Sequence, residues 1–371
     1  MVAQNNAVSV ITKGVAMGVM LMLAWLLGNR SEITVTVPAS EKKAEEIITM
    51  EGSFQGFLPT TGLFSFSVPL GDQPHQVGYM AFQETIQPGW AQGALPTELW
   101  YDRSQITWIG DPYGPRLTGW SQDGTLLTAI DLPFLLNESA SGKEIVGFTV
   151  KPAQDNGWFI LNNQNKKIYH LHSSGELVSV FSIPMALSDS RVLLNISPFF
   201  EVIRDEWFFV TIESTSQPYS PQDGLAGGSY LETRWESFFL SQNGEKVGPL
   251  PENTSVLPFE DGFVLWSYEQ SDLILKWYQT PTSMQTPTKT WKIRRPEWHY
   301  GGMIGSDTTH HLYFWANRGI IGIISTDRSM VQYFQLPEQD AFPVTVSADG
   351  EIGYIIPSKR QLVVHLMKVD E

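Results

Sequence analysis

Side chains able to do metal or acid–base chemistry are few and scattered. The seven histidines are His75, His170, His172, His299, His310, His311 and His365. His170 and His172 stand two apart in a segment that reads as a strand, a spacing that could set both rings on one face around a metal. His365 falls in the corresponding strand near the C-terminus. No nearby carboxylate has the spacing of a further ligand, so strand packing or surface placement is the expectation and no metal is assigned. The chain has no cysteine, which removes disulfides, cysteine-ligated zinc, thiol nucleophiles and lipid-modified cysteines together. Gly-x-Ser-x-Gly elbows, calcium loops, P-loops and dinucleotide fingerprints are absent as well. No catalytic residue and no cofactor is therefore assigned.

Residue types suited to binding are more concentrated. The segment RRPEWHYGG gathers Arg294, Arg295, Trp298, His299 and Tyr300. Residues 213–235 read as a long insertion carrying Tyr219 and Tyr230, and residues 84–96 as another, centred on Trp90. Long connections are functional more often than short ones. Aromatics with arginine are the composition of protein-binding hot spots, and aromatic platforms also bind sugars. The competing reading is packing for Trp298 and solvated loops for the insertions. Asn137, Asn195 and Asn253 begin N-x-[ST] sequons, which matter only in a eukaryotic secretory path.

The elements that must hold these residues are strands. Beyond Gly56 apolar residues alternate at period two in short runs, broken by Asp-Gly, Asn-Gly, Ser-Gly and proline turns, which predicts an all-β domain. The runs repeat. GTLLTAIDLP, GELVSVFSIP and SMVQYFQLP share a spacing from turn to terminal proline, and GEKVGPLP and TKTWKIRRP are shorter or degenerate copies. Each is preceded by another strand, and two more lie upstream, giving four strands per unit and units ending at Pro133, Pro184, Pro251, Pro296 and Pro337. After Pro337 only three strands remain. Thr60–Pro69 has the pattern of the missing fourth and stands alone at the start of the domain. Pairing it with the C-terminal unit predicts a six-bladed β-propeller closed by an N-terminal strand. In that fold the RRPEWHYGG connector and the 213–235 insertion emerge on one face.

Four-strand units ending in apolar-x-[LI]-P resemble the NHL-type and related six-bladed propellers of bacterial secreted proteins, over most of residues 60–371. The resemblance implies the fold. Functions in that group range from lactone hydrolysis to protein binding, and lactonase-type members hold a divalent metal with Glu, Asn and Asp near the tunnel, a set for which no clear motif is found here. Residues 121–124 (SQDG) and 347–350 (SADG) resemble the Asp-box turns of sialidase-like propellers, but their Asp and Gly are adjacent and no aromatic anchors them. They are read as tight hairpin turns.

Before the propeller, residues 14–28 form an uncharged, apolar run between Lys13 and Arg30. It falls short of the ~20 residues of a typical span, and no small-residue cleavage site follows it. An uncleaved signal anchor is the expectation, with a cleaved secretory signal as the alternative. The domain assignment is 1–30 anchor or signal, 31–56 a stalk with a short helix capped by Ser40, and 57–371 propeller. With 24 basic and 39 acidic residues the net charge is −15, which argues against nucleic acid as a partner. The expectation is a single-pass, membrane-tethered extracytoplasmic module of a bacterial envelope that binds a protein or envelope polymer, secreted if the N-terminus is cleaved. The alternative is a hydrolase or lyase acting on carbohydrate or lactone at the tunnel mouth.

Overall fold

A computed structural model describes residues 47–58, 60–71, 73, 75–77, 99–102, 104–111, 115–135, 148–163, 165–184, 192–215, 233–294, 301–317, 319–337, 342–357 and 361–369. The chain divides into two units, residues 1–44 and 45–371, and all the described residues belong to the second.

Strand β1 (Ile47–Phe57) is followed by β2 (Thr60–Pro69). Next, β3 (Leu99–Tyr101), β4 (Thr107–Asp111), β5 (Arg116–Trp120) and β6 (Leu126–Asp131) form an antiparallel sheet in chain order. A second sheet holds β7 (Phe148–Pro152), β8 (Trp158–Asn162), β9 (Lys167–Leu171) and β10 (Leu177–Ser182). A third holds β11 (Val192–Ile203), β12 (Trp207–Thr215), β13 (Thr233–Ser241) and β14 (Lys246–Val247). Two further antiparallel runs follow. One is β15 (Ser255–Phe259), β16 (Gly262–Glu269), β17 (Asp272–Tyr278) and β18 (Lys289–Arg294); the other is β19 (Met303–Ser306), β20 (His311–Asn317), β21 (Ile320–Ser325) and β22 (Met330–Gln335). Last come β23 (Phe342–Val346), β24 (Glu351–Pro357) and β25 (Gln361–Val369), whose fourth strand is β2, antiparallel to β25 from Thr60↔Val369 to Pro69↔Gln361. The segments leading to a terminal proline in the sequence are β6, β10, β14, β18, β22 and β2, the outermost members of their runs. Glycines with positive φ close the hairpins at Gly124 (80°), Gly175 (86°) and Gly350 (78°), a conformation that costs glycine nothing.

Each hydrophobic core lies between two neighbouring runs. Trp108 and Leu117 meet Trp158 and Ile160; Phe159 and Ile168 meet Phe208 and Phe238; Phe209 and Phe239 meet Phe263 and Tyr278. Leu275 and Trp291 meet Phe314 and Val331; Tyr313 and Ile321 meet Tyr354 and Met367. The remaining core packs Phe66 and Val364 of the last sheet on Ile109 and Trp120 of the first. The first strands of the runs are neighbours in the order β3, β23, β19, β15, β11 and β7. This is the arrangement of a β-propeller.

Two expectations differ from the structure. Instead of six separate sheets there are five among the described residues, because β1 lies between β18 and β22, pairs parallel with both and fuses two runs into one nine-stranded sheet. Ile47↔Thr290 through Glu51↔Arg294 hold its first half, and Gly52↔Val331 onward its second. The other difference is the stalk helix, whose expected C-terminal turn is part of β1. The β-branched run Ile47, Ile48 and Thr49 favours extended backbone, and two open strand edges supply it with partners on both sides. Met50 is buried against Trp291 and Tyr333. At Gly52 a Cβ would stand 2.1 Å from Cε2 of Tyr333, so only glycine allows the close approach. Among the described residues no helix is long and apolar enough to cross a membrane; residues 14–28 lie outside them.

Candidate functional site

Of the expected binding residues, Arg294 ends β18, where its guanidinium lies 3.6 Å from Glu51 of β1 with both side chains 76% exposed. Such an exposed pair contributes little stability. Arg295, Trp298, His299, Tyr300, Tyr219, Tyr230 and Trp90 lie outside the described residues.

The strand histidines are placed by packing. His170 stacks on Phe159 with ring centroids 4.4 Å apart, and its Nε2 lies 3.2 Å from Asp155 Oδ2 without hydrogen-bond alignment. His172 falls just past β9 in the hairpin turn, where the Ser174 backbone N–H donates to its Nδ1. His365 is buried in β25 and stacks on Tyr354 at 4.7 Å. Among the described residues no three His, Asp or Glu side chains are grouped to hold a metal ion. In the SQDG turn, hydrogen bonds from Ser121 and Thr125 hold the Asp123 carboxyl below its usual range, which gives this aspartate a turn-forming role.

Antiparallel runs put the turn after the first strand and the turn after the third at one end of a unit. At that end, between the β15–β18 and β19–β22 runs, lies a cleft of about 240 Å³ that sequence reasoning missed. Glu260 comes from the β15–β16 turn, His310 from the β19–β20 turn, and Thr326 and Asp327 from the β21–β22 turn. Trp277 and Lys289 are cross-strand partners at the adjoining ends of β17 and β18, and Trp291 lies two residues further in. Glu260 Oε1 accepts from His310 Nδ1 at 2.7 Å, joining the two runs. Thr326 donates its hydroxyl to the His310 carbonyl at 2.9 Å and fixes that turn. Lys289 Nζ sits 5.2 Å from the centroid of the Trp291 ring, a cation–π distance. Trp291 is 2% exposed, and neither its Nε1 nor that of Trp277 has a hydrogen-bond partner among the described residues. The cleft thus presents indole surface, one ammonium and two carboxylates.

Two other charged groups are held differently. Asp307 accepts hydrogen bonds from the Thr309 and His311 backbone N–H groups at 2.8 and 2.9 Å, from His311 Nδ1 at 3.1 Å and from the Tyr313 hydroxyl at 2.8 Å. Burial alone would push its carboxyl up, but these bonds outweigh burial and pull it down to about 2. The next residue, Thr308, donates its hydroxyl to the Ala348 carbonyl at 2.8 Å, tying the turn to the last sheet. On the innermost strands, Lys151 of β7 pairs with Glu201 of β11 at 2.7 Å. Burial raises the Glu201 carboxyl, and Lys151 offsets only part of the rise.

No protein-family model matches the chain, and no curated protein does. Among solved structures it is similar to a streptogramin B lyase, at 13% identity over 82% of this chain and 98% of that one, with a TM-score of 0.44. It is also similar to virginiamycin B lyase from Staphylococcus aureus, at 11% identity over 72% and 94% of the two chains, with a TM-score of 0.42. A third is regucalcin, a calcium-binding protein from Agrobacterium tumefaciens, at 12% identity over 74% and 90%, with a TM-score of 0.41. At such values the likenesses bear on neither activity nor ligand, and the fold assignment rests on the strand pairing itself.

Proposed function

We propose that this chain is a membrane-tethered, extracytoplasmic propeller of six blades, two of them fused by β1, that binds a protein or an envelope polymer. The observation that carries the binding role is the cleft between the two fused runs, where indole surface and charges of both signs converge at a turn-bearing end. The blade count is supported by the six cores, each shared by two neighbouring four-strand runs. The tether is supported by the apolar residues 14–28 ahead of a large folded unit. Fractionation of bacteria expressing the full chain, with crosslinking in intact cells, tests the reading. Recovery in the membrane fraction with an envelope component crosslinked is expected; recovery in the soluble cytosol without one would overturn it.

A second reading, a hydrolase or lyase at the tunnel mouth, is supported by Glu201. A carboxyl raised by burial on an innermost strand is suited to general-acid work. Turnover of a lactone or saccharide panel by the full chain, abolished in Glu201→Gln, would favour that reading.

A further inference from the structure

We infer that the cleft takes a single ring of a neutral saccharide. The inference rests on the binding reading above and names its ligand. A volume of about 240 Å³ is below the roughly 300–1,000 Å³ of drug-sized sites, which suits one ring better than an extended ligand.

The lining chemistry narrows the class. A pyranose presents an apolar C–H face and a rim of hydroxyls that both donate and accept. The half-buried Trp277 offers a flat apolar wall to such a face. Glu260 and Asp327 each spend one carboxylate oxygen on the protein, Glu260 Oε1 on His310 and Asp327 Oδ1 on the Arg328 backbone N–H. Their second oxygens can accept from ring hydroxyls, and the Lys289 ammonium can donate to one.

Charge disfavours the neighbouring classes. Two carboxylates in the cleft and a net charge of −15 on the chain oppose a polyanion. A cationic ligand would meet Lys289 already seated over the Trp291 ring.

The test titrates the full chain, in detergent, with cellotetraose and chitotetraose, and in parallel with tetragalacturonate and inorganic phosphate, following tryptophan emission. Saturable binding of a neutral tetramer, little changed by about 0.5 M salt, is expected. Trp277→Phe should weaken it about tenfold and Asp327→Asn at least threefold, the latter with an unchanged melting temperature because it alters an exposed turn. If Trp277→Phe fails to fold, Asp327→Asn and Lys289→Ala still decide. Binding of only the charged probes, or neutral binding that Asp327→Asn and Lys289→Ala both leave intact, overturns the inference. Absence of binding to every tetramer while the chain still crosslinks an envelope component also overturns it and leaves the broader binding role standing; loss of both removes the two together.

Discussion

The outer edges of the sheets are treated in two ways. β18 and β22 are both covered by β1, whereas among the described residues no strand covers β10, with Leu177, Val178 and Val180 between 43% and 55% exposed. Apolar exposure is therefore not what selects an edge for covering. At β18 and β22 the core itself continues outward, since Met50 reaches Trp291, Ile293 and Tyr333. At β10 the core stops at Phe181 and Ile183. Strand length does not separate the edges, since β10, β18 and β22 each have 6 residues. A covered edge here joins two runs, and a bare edge merely ends one.

The largest expected effect comes from breaking the run that β2 completes. Deleting Thr60–Pro69 leaves β25 unpaired and removes Phe66 and Val68 from the core between the last and first sheets. Aggregation and loss of a cooperative melt should follow; a soluble deletion protein that melts cooperatively would speak against closure by this strand. Next in size, Met50→Ala should cost about 2–5 kcal/mol in urea unfolding, through lost burial and a cavity. Val178→Ala on the bare edge should change stability by no more than ~0.5 kcal/mol. Equal losses would dissolve the contrast between the two edges. Gly52→Ala should cost about 1–3 kcal/mol by forcing the buried Tyr333 ring aside, and an unchanged midpoint would show that β1 can shift instead.

A polar join offers a smaller, pH-resolved comparison. The Asp307 carboxyl is held near 2 against an ordinary 3.8, so the unfolded chain binds this proton more readily than the folded one. Its contribution, about 2 kcal/mol, is complete above the ordinary value and is lost as the pH falls from about 4 toward 2. Asp307→Asn should flatten that part of the stability curve. A wild-type curve that keeps the same slope in the variant would assign the acid sensitivity elsewhere.

Much of this fold is legible in the sequence because strand order within each run is local. The proline-terminated segments could be recognised as outer strands, and the lone Thr60–Pro69 could be matched to a unit lacking its fourth member. β1 was not legible, because helix-forming residues 41–46 precede it and its two partner strands lie more than two hundred residues away. The cleft escaped for a related reason. Glu260, Trp277, Lys289, His310 and Asp327 occupy turns and strand ends of two different runs, and nothing in their spacing announces that they meet. The RRPEWHYGG connector stood out because its residues are adjacent in the chain, yet of the binding residues expected there only Arg294 is described, 3.6 Å from Glu51.

The pairing of β2 with β25 also bears on how the protein is made. The ribosome produces Thr60–Pro69 first and Gln361–Val369 roughly three hundred residues later, an interval of roughly 15–60 s at typical elongation speeds. Until then Phe66 and Val68 have no sheet to join, while the intervening runs can each form from neighbouring segments. The last unit is therefore the one whose assembly must await synthesis of the far end of the domain, and in a crowded cell the waiting strand is the natural client for a chaperone.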